Sequence, residues 1–83
     1  MVFIKYYQRL RDIREDQRKT QDEIAEYLET TRQQYSRWEN GSYQTPIEIY
    51  KKLARYYNLS IDYLSGLIDE PNTISEYKKR KSL

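Results

Sequence analysis

Gln33, Ser36, Arg37 and Asn40 are spaced by three, one and three in this 83-residue sequence, so on a helix they would share one face. Their types suit one kind of chemistry. Arginine can donate two parallel hydrogen bonds to O6 and N7 of guanine, and glutamine can pair in the same bidentate way with N6 and N7 of adenine. Serine and asparagine are short enough to meet a base edge or a phosphate. None of the four is acidic, although residues 1–45 hold eight basic and eight acidic side chains.

A helical wheel separates this stripe from its neighbours. With Tyr35 at zero and about 100° per residue, Trp38 falls near −60° and Thr31 near −40°, which marks the core side. Gln33, Ser36, Arg37 and Asn40 fall between about 100° and 200°, opposite the aromatics, with Arg32 at the flank near the helix start. Glu39 falls near +40°, toward the core, where a carboxylate needs a partner. Arg14, on the apolar side of the preceding first helix, is the candidate. The expectation is an Arg14–Glu39 ion pair that is at least partly buried; two unrelated surface charges are the alternative.

The elements that must hold this stripe are punctuated by capping chemistry. Thr20-Gln-Asp-Glu23, Thr31-Arg-Gln-Gln34 and Thr45-Pro-Ile-Glu48 each fit a capping box, in which two side chains satisfy orphan backbone N–H groups reciprocally. In the third, Pro46 would occupy the first helical position, where its missing N–H costs nothing. Ser60 is a fourth cap. Asn40-Gly41, Asn58 and Gly66 suit left-handed helix ends. These signals predict five helices, at about 3–17, 21–28, 32–39, 46–57 and 61–66. Helical periodicity predicts that they bury Tyr6, Leu10 and Ile13; Ile24, Ala25 and Leu28; Tyr35 and Trp38; Ile47, Tyr50, Leu53, Ala54 and Tyr57; and Ile61 and Leu64. No stretch alternates like a strand and no segment repeats, so the fold class is all-α. Helices two and three are joined by Glu29-Thr30 alone, with Thr31 as cap, which suggests a helix-turn-helix. Residues 1–68 read as one domain. Residues 69–83 lose the periodicity and read as a basic tail, flexible or with one short helical turn after Thr73.

Composition narrows the function classes. Hydrophobic residues make up 37% and charged residues 34%, a balance suited to small helices with one buried stripe each. Ten tyrosines supply much of the apolar area, each with a hydroxyl that can still reach a polar partner. There is no cysteine and no histidine, which removes disulfides, thiolate ligands and the commonest general base. Asp22, Glu23 and Glu26 resemble a carboxylate cluster, but without histidine their roles read as helix-start charge complementarity and solvation. No apolar run approaches the ~18 residues that span a membrane. No cofactor, metal or small-molecule ligand is expected, and the chain reads as a cytoplasmic protein of prokaryotic or phage origin. Net charge is only +2, so any polyanion-binding surface must come from placement rather than from total charge.

Four motifs stand in order along the chain: Gln21-xx-Ile24-Ala25-xx-Leu28; Thr31-Arg-Gln-Gln-Tyr-Ser-Arg-Trp-Glu-Asn-Gly41; Pro46; and Leu53-Ala54-Arg-Tyr-Tyr-Asn-Leu-Ser-Ile-Asp-Tyr-Leu-Ser-Gly66. Together they resemble the Cro/C1-type helix-turn-helix family of phage repressors and xenobiotic-response-element-type regulators, from about residue 8 to 68. The resemblance implies a compact five-helix, lambda-repressor-like domain that binds double-stranded DNA, usually as a homodimer on a two-fold-symmetric operator. By position it implies that Gln21 bonds a backbone phosphate. It implies that Arg32, Gln33, Ser36 and Arg37 face base edges, and that Asn40, Ser42, Tyr43 and Gln44 meet the phosphate backbone. It also matches Arg14 and Glu39 to a buried ion pair. Two positions depart from the pattern. Glu29 stands in a turn that often carries glycine, and Lys19 stands where an apolar residue is usual.

The reading is therefore a sequence-specific transcriptional regulator, a repressor by promoter occupancy, and not an enzyme. The alternative is a protein-interaction module on the same scaffold, such as an antitoxin or an anti-repressor partner. A solvated helix face is the plain alternative for the stripe, and an ordinary first-turn polar residue for Gln21. Lys78-Lys-Arg-Lys81 reads as a solvated basic run, with tracking of a DNA backbone or approach to a partner as the alternative, and Ile68 and Tyr77 are weak candidates for a dimer seam.

Overall fold

Three of the five described helices begin at a side-chain cap, and each of the five ends where one residue turns left-handed. The computed structural model describes residues 7–71, which form α1 (Gln8–Asp16), α2 (Gln21–Tyr27), α3 (Arg32–Glu39), α4 (Ile47–Tyr57) and α5 (Ile61–Leu64), with no strand among them. Thr20 caps α2 through a complete box. Its hydroxyl accepts from the Glu23 N–H at 3.1 Å, and the Glu23 carboxylate accepts from the Thr20 N–H at 3.2 Å. Thr31 supplies only the threonine half, accepting from the Gln34 N–H at 3.0 Å. Ser60 accepts from the Tyr63 N–H at 3.2 Å.

The box expected at Thr45 does not form. Pro46 takes the capping position with extended backbone (ψ 151°) and α4 starts at Ile47. A cap side chain reaches the N–H two or three residues on, so Thr45 stands one place too early. It is buried, with no hydrogen-bond partner for its hydroxyl.

Each of the five helices runs into a residue at positive φ: Arg18 (57°), Glu29 (59°), Gly41 (83°), Asn58 (55°) and Gly66 (82°). Four close with the long backbone bond of a Schellman end. The Lys19 N–H donates to the Arg14 carbonyl, Thr30 to Ala25, Leu59 to Ala54 and Leu67 to Asp62, at 2.9–3.1 Å. Gly41 carries a second requirement, because a Cβ there would run into the Tyr7 ring.

The core gathers one stripe from every helix. Leu10, Ile24, Tyr35, Leu53 and Leu64 are fully buried, and Ile13, Ala25, Leu28, Trp38, Tyr50 and Ala54 join them. Tyr57 and Ile61 are partly buried and pack against this cluster. Ile47 is a correction: it shares the apolar stripe of α4 but stands at the first helical position and stays 51% exposed. Arg9 was not anticipated in the core. Its guanidinium stacks over the Tyr63 ring at 4.4 Å and bonds Asp69 at 3.1 Å, tying α1 to the segment after α5. Tyr6, the turn after Thr73, Tyr77 and the basic run at 78–81 lie outside the described residues. The described residues thus form a compact all-helical fold in which α2 and α3 make a helix-turn-helix.

Candidate nucleic-acid interface

The surface is built upward from a buried charge. Glu39, on the last turn of α3, is 4% exposed. Arg14 meets it with a fork: Nε donates to Oε2 and Nη2 to Oε1, both at 2.8 Å, while Nη1 donates to the Lys19 carbonyl at 2.8 Å. Two parallel charge-assisted bonds fix both orientation and distance. Gln21 adds a third donor, from Nε2 to Glu39 Oε1 at 3.2 Å. Burial alone would raise the pKa of Glu39, but the hydrogen bonds from Arg14 and Gln21 outweigh it and hold the carboxyl below its ordinary value. The Tyr35 hydroxyl also favours the carboxylate, although it makes no hydrogen bond of regular geometry to it. The Glu39 hydrogen bond raises Arg14 in turn. One carboxylate therefore pins α1, the start of α2 and the end of α3.

Gln21 reaches outward from this network. Its Oε1 accepts from Arg32 Nε at 3.5 Å, a long bond that links the buried pair to the leading edge of α3. Arg32 and Gln33 are exposed, Ser36 and Arg37 half-buried, and Asn40 exposed at the helix end. These five and Gln21 line one open concavity of ≈ 600 Å³. The sequence-derived stripe and the start of α2 thus share one recess between the two helices of the motif.

The loop after α3 is built against the same stripe. Asn40 Oδ1 accepts from both the N–H and the hydroxyl of Ser42, at 2.9 and 2.6 Å. The Tyr43 N–H returns to the Arg37 carbonyl at 3.2 Å, and the Arg37 guanidinium lies 5.3 Å from the Tyr43 ring centroid. Ser42 and Gln44 are exposed on this loop but do not line the concavity. Sequence reading missed the residues of two adjoining hollows. Lys19, Thr20 and Asp22 line one with Arg14, Gln21 and Arg32; Tyr7, Gln8 and Arg11 line another with Ser36, Glu39 and Asn40. Lys19, the departure from an apolar position, was the available signal, since its cationic head stands 3.9 Å from Glu23 at the rim.

This surface offers cationic forks, amides and hydroxyls around an open recess. Among the described residues no group of acidic side chains is arranged to hold a metal ion, and no helix is long and apolar enough to cross a membrane. The comparisons with known proteins point the same way. A helix-turn-helix family model matches residues 10–64. The chain is 36% identical over 76 residues to the uncharacterized HTH-type transcriptional regulator YobD of Bacillus subtilis (strain 168), covering 92% of this chain and 68% of that one. It is 30% identical over 81 residues to the HTH-type transcriptional activator BcrR of Enterococcus faecalis, covering 96% of this chain but only 39% of that protein. A transcriptional regulator from Listeria innocua has a similar crystal structure, with a TM-score of 0.73 and 26% identity over 98% of this chain and 77% of that one. The chain belongs to the Cro/C1-type helix-turn-helix family of transcriptional regulators.

Proposed function

We propose that the chain is a sequence-specific regulator that lays α3 in the major groove of double-stranded DNA, as a homodimer on a palindromic operator. One observation carries this reading: Arg32, Gln33, Ser36, Arg37 and Asn40 line a single open recess with Gln21 at the start of α2. Arg32, Gln33, Ser36 and Arg37 meet base edges. Gln21, Asn40, Ser42, Tyr43 and Gln44 meet phosphates, which set register and orientation but carry no sequence information. Arg14 and Glu39 hold the two helices of the motif at a fixed angle to α1. One short helix covers few base pairs, so two copies on half-sites about one helical turn apart supply the specificity. A regulator of this kind would work in the cytoplasm of a prokaryotic cell, encoded by the cell or by a phage.

Repression by promoter occupancy is the simplest consequence of such binding. A reporter driven by the bound promoter checks the direction: repression lowers its output, whereas a rise would match the activator sense of the BcrR name. Selection of bound sequences from random duplex DNA tests the reading as a whole. The expected result is a palindromic consensus with half-sites about one turn apart. No enrichment over the starting pool would shift the assignment to a protein-interaction module.

A further inference from the structure

Tyr43 is more than half exposed, at 53%, yet the chain spends several constraints on fixing it. Gly41 turns left-handed under the Tyr7 ring, where no side chain fits. Asn40 Oδ1 gathers the N–H and hydroxyl of Ser42. The Tyr43 N–H then closes onto the carbonyl of Arg37 itself at 3.2 Å. The result is a ring 5.3 Å from the Arg37 guanidinium, inside the ~6 Å range of a cation–π contact. Burial does not explain this arrangement, because the ring adds little to the core.

We infer that Tyr43 is a specificity-determining positioning residue, whose ring sets the direction in which Arg37 presents its guanidinium to DNA. The inference rests on Arg37 as a base-reading residue and deepens that reading. A free arginine side chain samples many rotamers, and each one lost on binding weakens the complex. A guanidinium already stacked on a ring keeps its planar fork in few orientations, so its two parallel donors meet the correct base at lower entropic cost. The ring and the hydroxyl of Tyr43 then have separate duties. The hydroxyl meets a phosphate and strengthens binding to every sequence. The ring acts through Arg37 and strengthens binding only where the preferred base is present.

Competition binding separates these duties. The probes are the duplex selected by the wild-type protein and its single-base-pair variants, measured with wild type, Arg37→Ala, Tyr43→Phe and Tyr43→Leu. Position 43 is exposed, so both of its variants should melt close to wild type in a circular-dichroism control. Arg37→Ala should flatten the preference at one base pair. Tyr43→Leu should weaken that same preference by roughly two- to fivefold, the worth of an exposed cation–π contact. Tyr43→Phe keeps the ring, so it should retain the preference while losing affinity for all sequences alike. Tyr43→Leu that leaves the preference at the Arg37 base pair intact would overturn the positioning role, as would Tyr43→Phe that flattens it as much as leucine does. If Arg37→Ala itself leaves every preference unchanged, the base-reading assignment fails first and the positioning role falls with it.

Discussion

Glu39 shows how much one side chain can organise. It is almost fully buried, it is charged, and three helices depend on what it accepts. Removing one partner of such a pair strands the other in a poorly solvated place, which costs about 3–5 kcal/mol. Glu39→Gln should therefore lower the unfolding free energy from urea titration by an amount in that range. The pH dependence has a definite sign. The folded state holds this carboxyl below its ordinary value of 4.5, so the unfolded chain binds the proton first. The contribution is complete above about pH 4.5 and is lost as pH falls through the lower, folded value. Urea titrations across the acid range should show wild-type stability declining there. Glu39→Gln should show a shallower decline, because the group responsible is gone. Arg37 is the counterpart on the outer face, where the loss is in recognition: Arg37→Ala should cost about 1–3 kcal/mol on the preferred operator, read by fluorescence anisotropy.

At the scale of elements, the turn between α2 and α3 stores a measurable strain. Glu29 sits at φ 59°, a conformation that costs a side-chain-bearing residue about 1–2 kcal/mol, and glycine adopts it freely. Glu29→Gly should raise stability by about 0.5–1 kcal/mol, after allowing for the looser unfolded chain. Gly41→Ala should do the reverse, because it meets both the unfavourable φ and the Tyr7 ring. Thermal melts of the two variants should move in opposite directions. This contrast also explains what the sequence reveals. Thr20, Thr31 and Ser60 were legible as starts because capping is local, with donor and acceptor two or three residues apart. Gly41, Asn58 and Gly66 were legible as stops because their types suit positive φ. Arg18 and Glu29 make the same left-handed stops without the marker residue, and nothing in their types announces it. Thr45 misled because a motif match cannot reveal that Pro46 is extended. The 3.6-residue period sorts α3 into an inner and an outer face, so the shared side of Gln33, Ser36 and Arg37 could be read directly. The links from Gln21 to Arg32 and from Tyr43 to Arg37 could not, because they depend on how a neighbouring helix and a loop fold back.

For the molecule as a whole, the tyrosines packed in and against the core are its weakness in alkali. Burial pushes the Tyr35 and Tyr57 hydroxyls well above the usual tyrosine value of 10.0. Above that pH the unfolded chain ionises while the folded one keeps its protons, so stability falls as pH rises past about 10. Chemical denaturation between neutral and strongly alkaline pH should show a plateau followed by a steep decline. The charge layout makes a second whole-molecule prediction. With a net charge of only +2, the proposed attraction to DNA should come from Lys19, Arg32 and Arg37 on adjoining recesses rather than from overall charge. Phosphate contacts release counterions, so the logarithm of affinity should fall linearly with the logarithm of salt. The central claim is that the outer face of α3 reads bases. Its most direct test is the affinity of wild type, Gln33→Ala and Arg37→Ala for the selected operator and for every single-base-pair variant of it. Each alanine variant should lose its preference at its own base pair, adenine-containing for Gln33 and guanine-containing for Arg37, and keep the others. Two variants that weaken every duplex equally, with all base preferences intact, would contradict it.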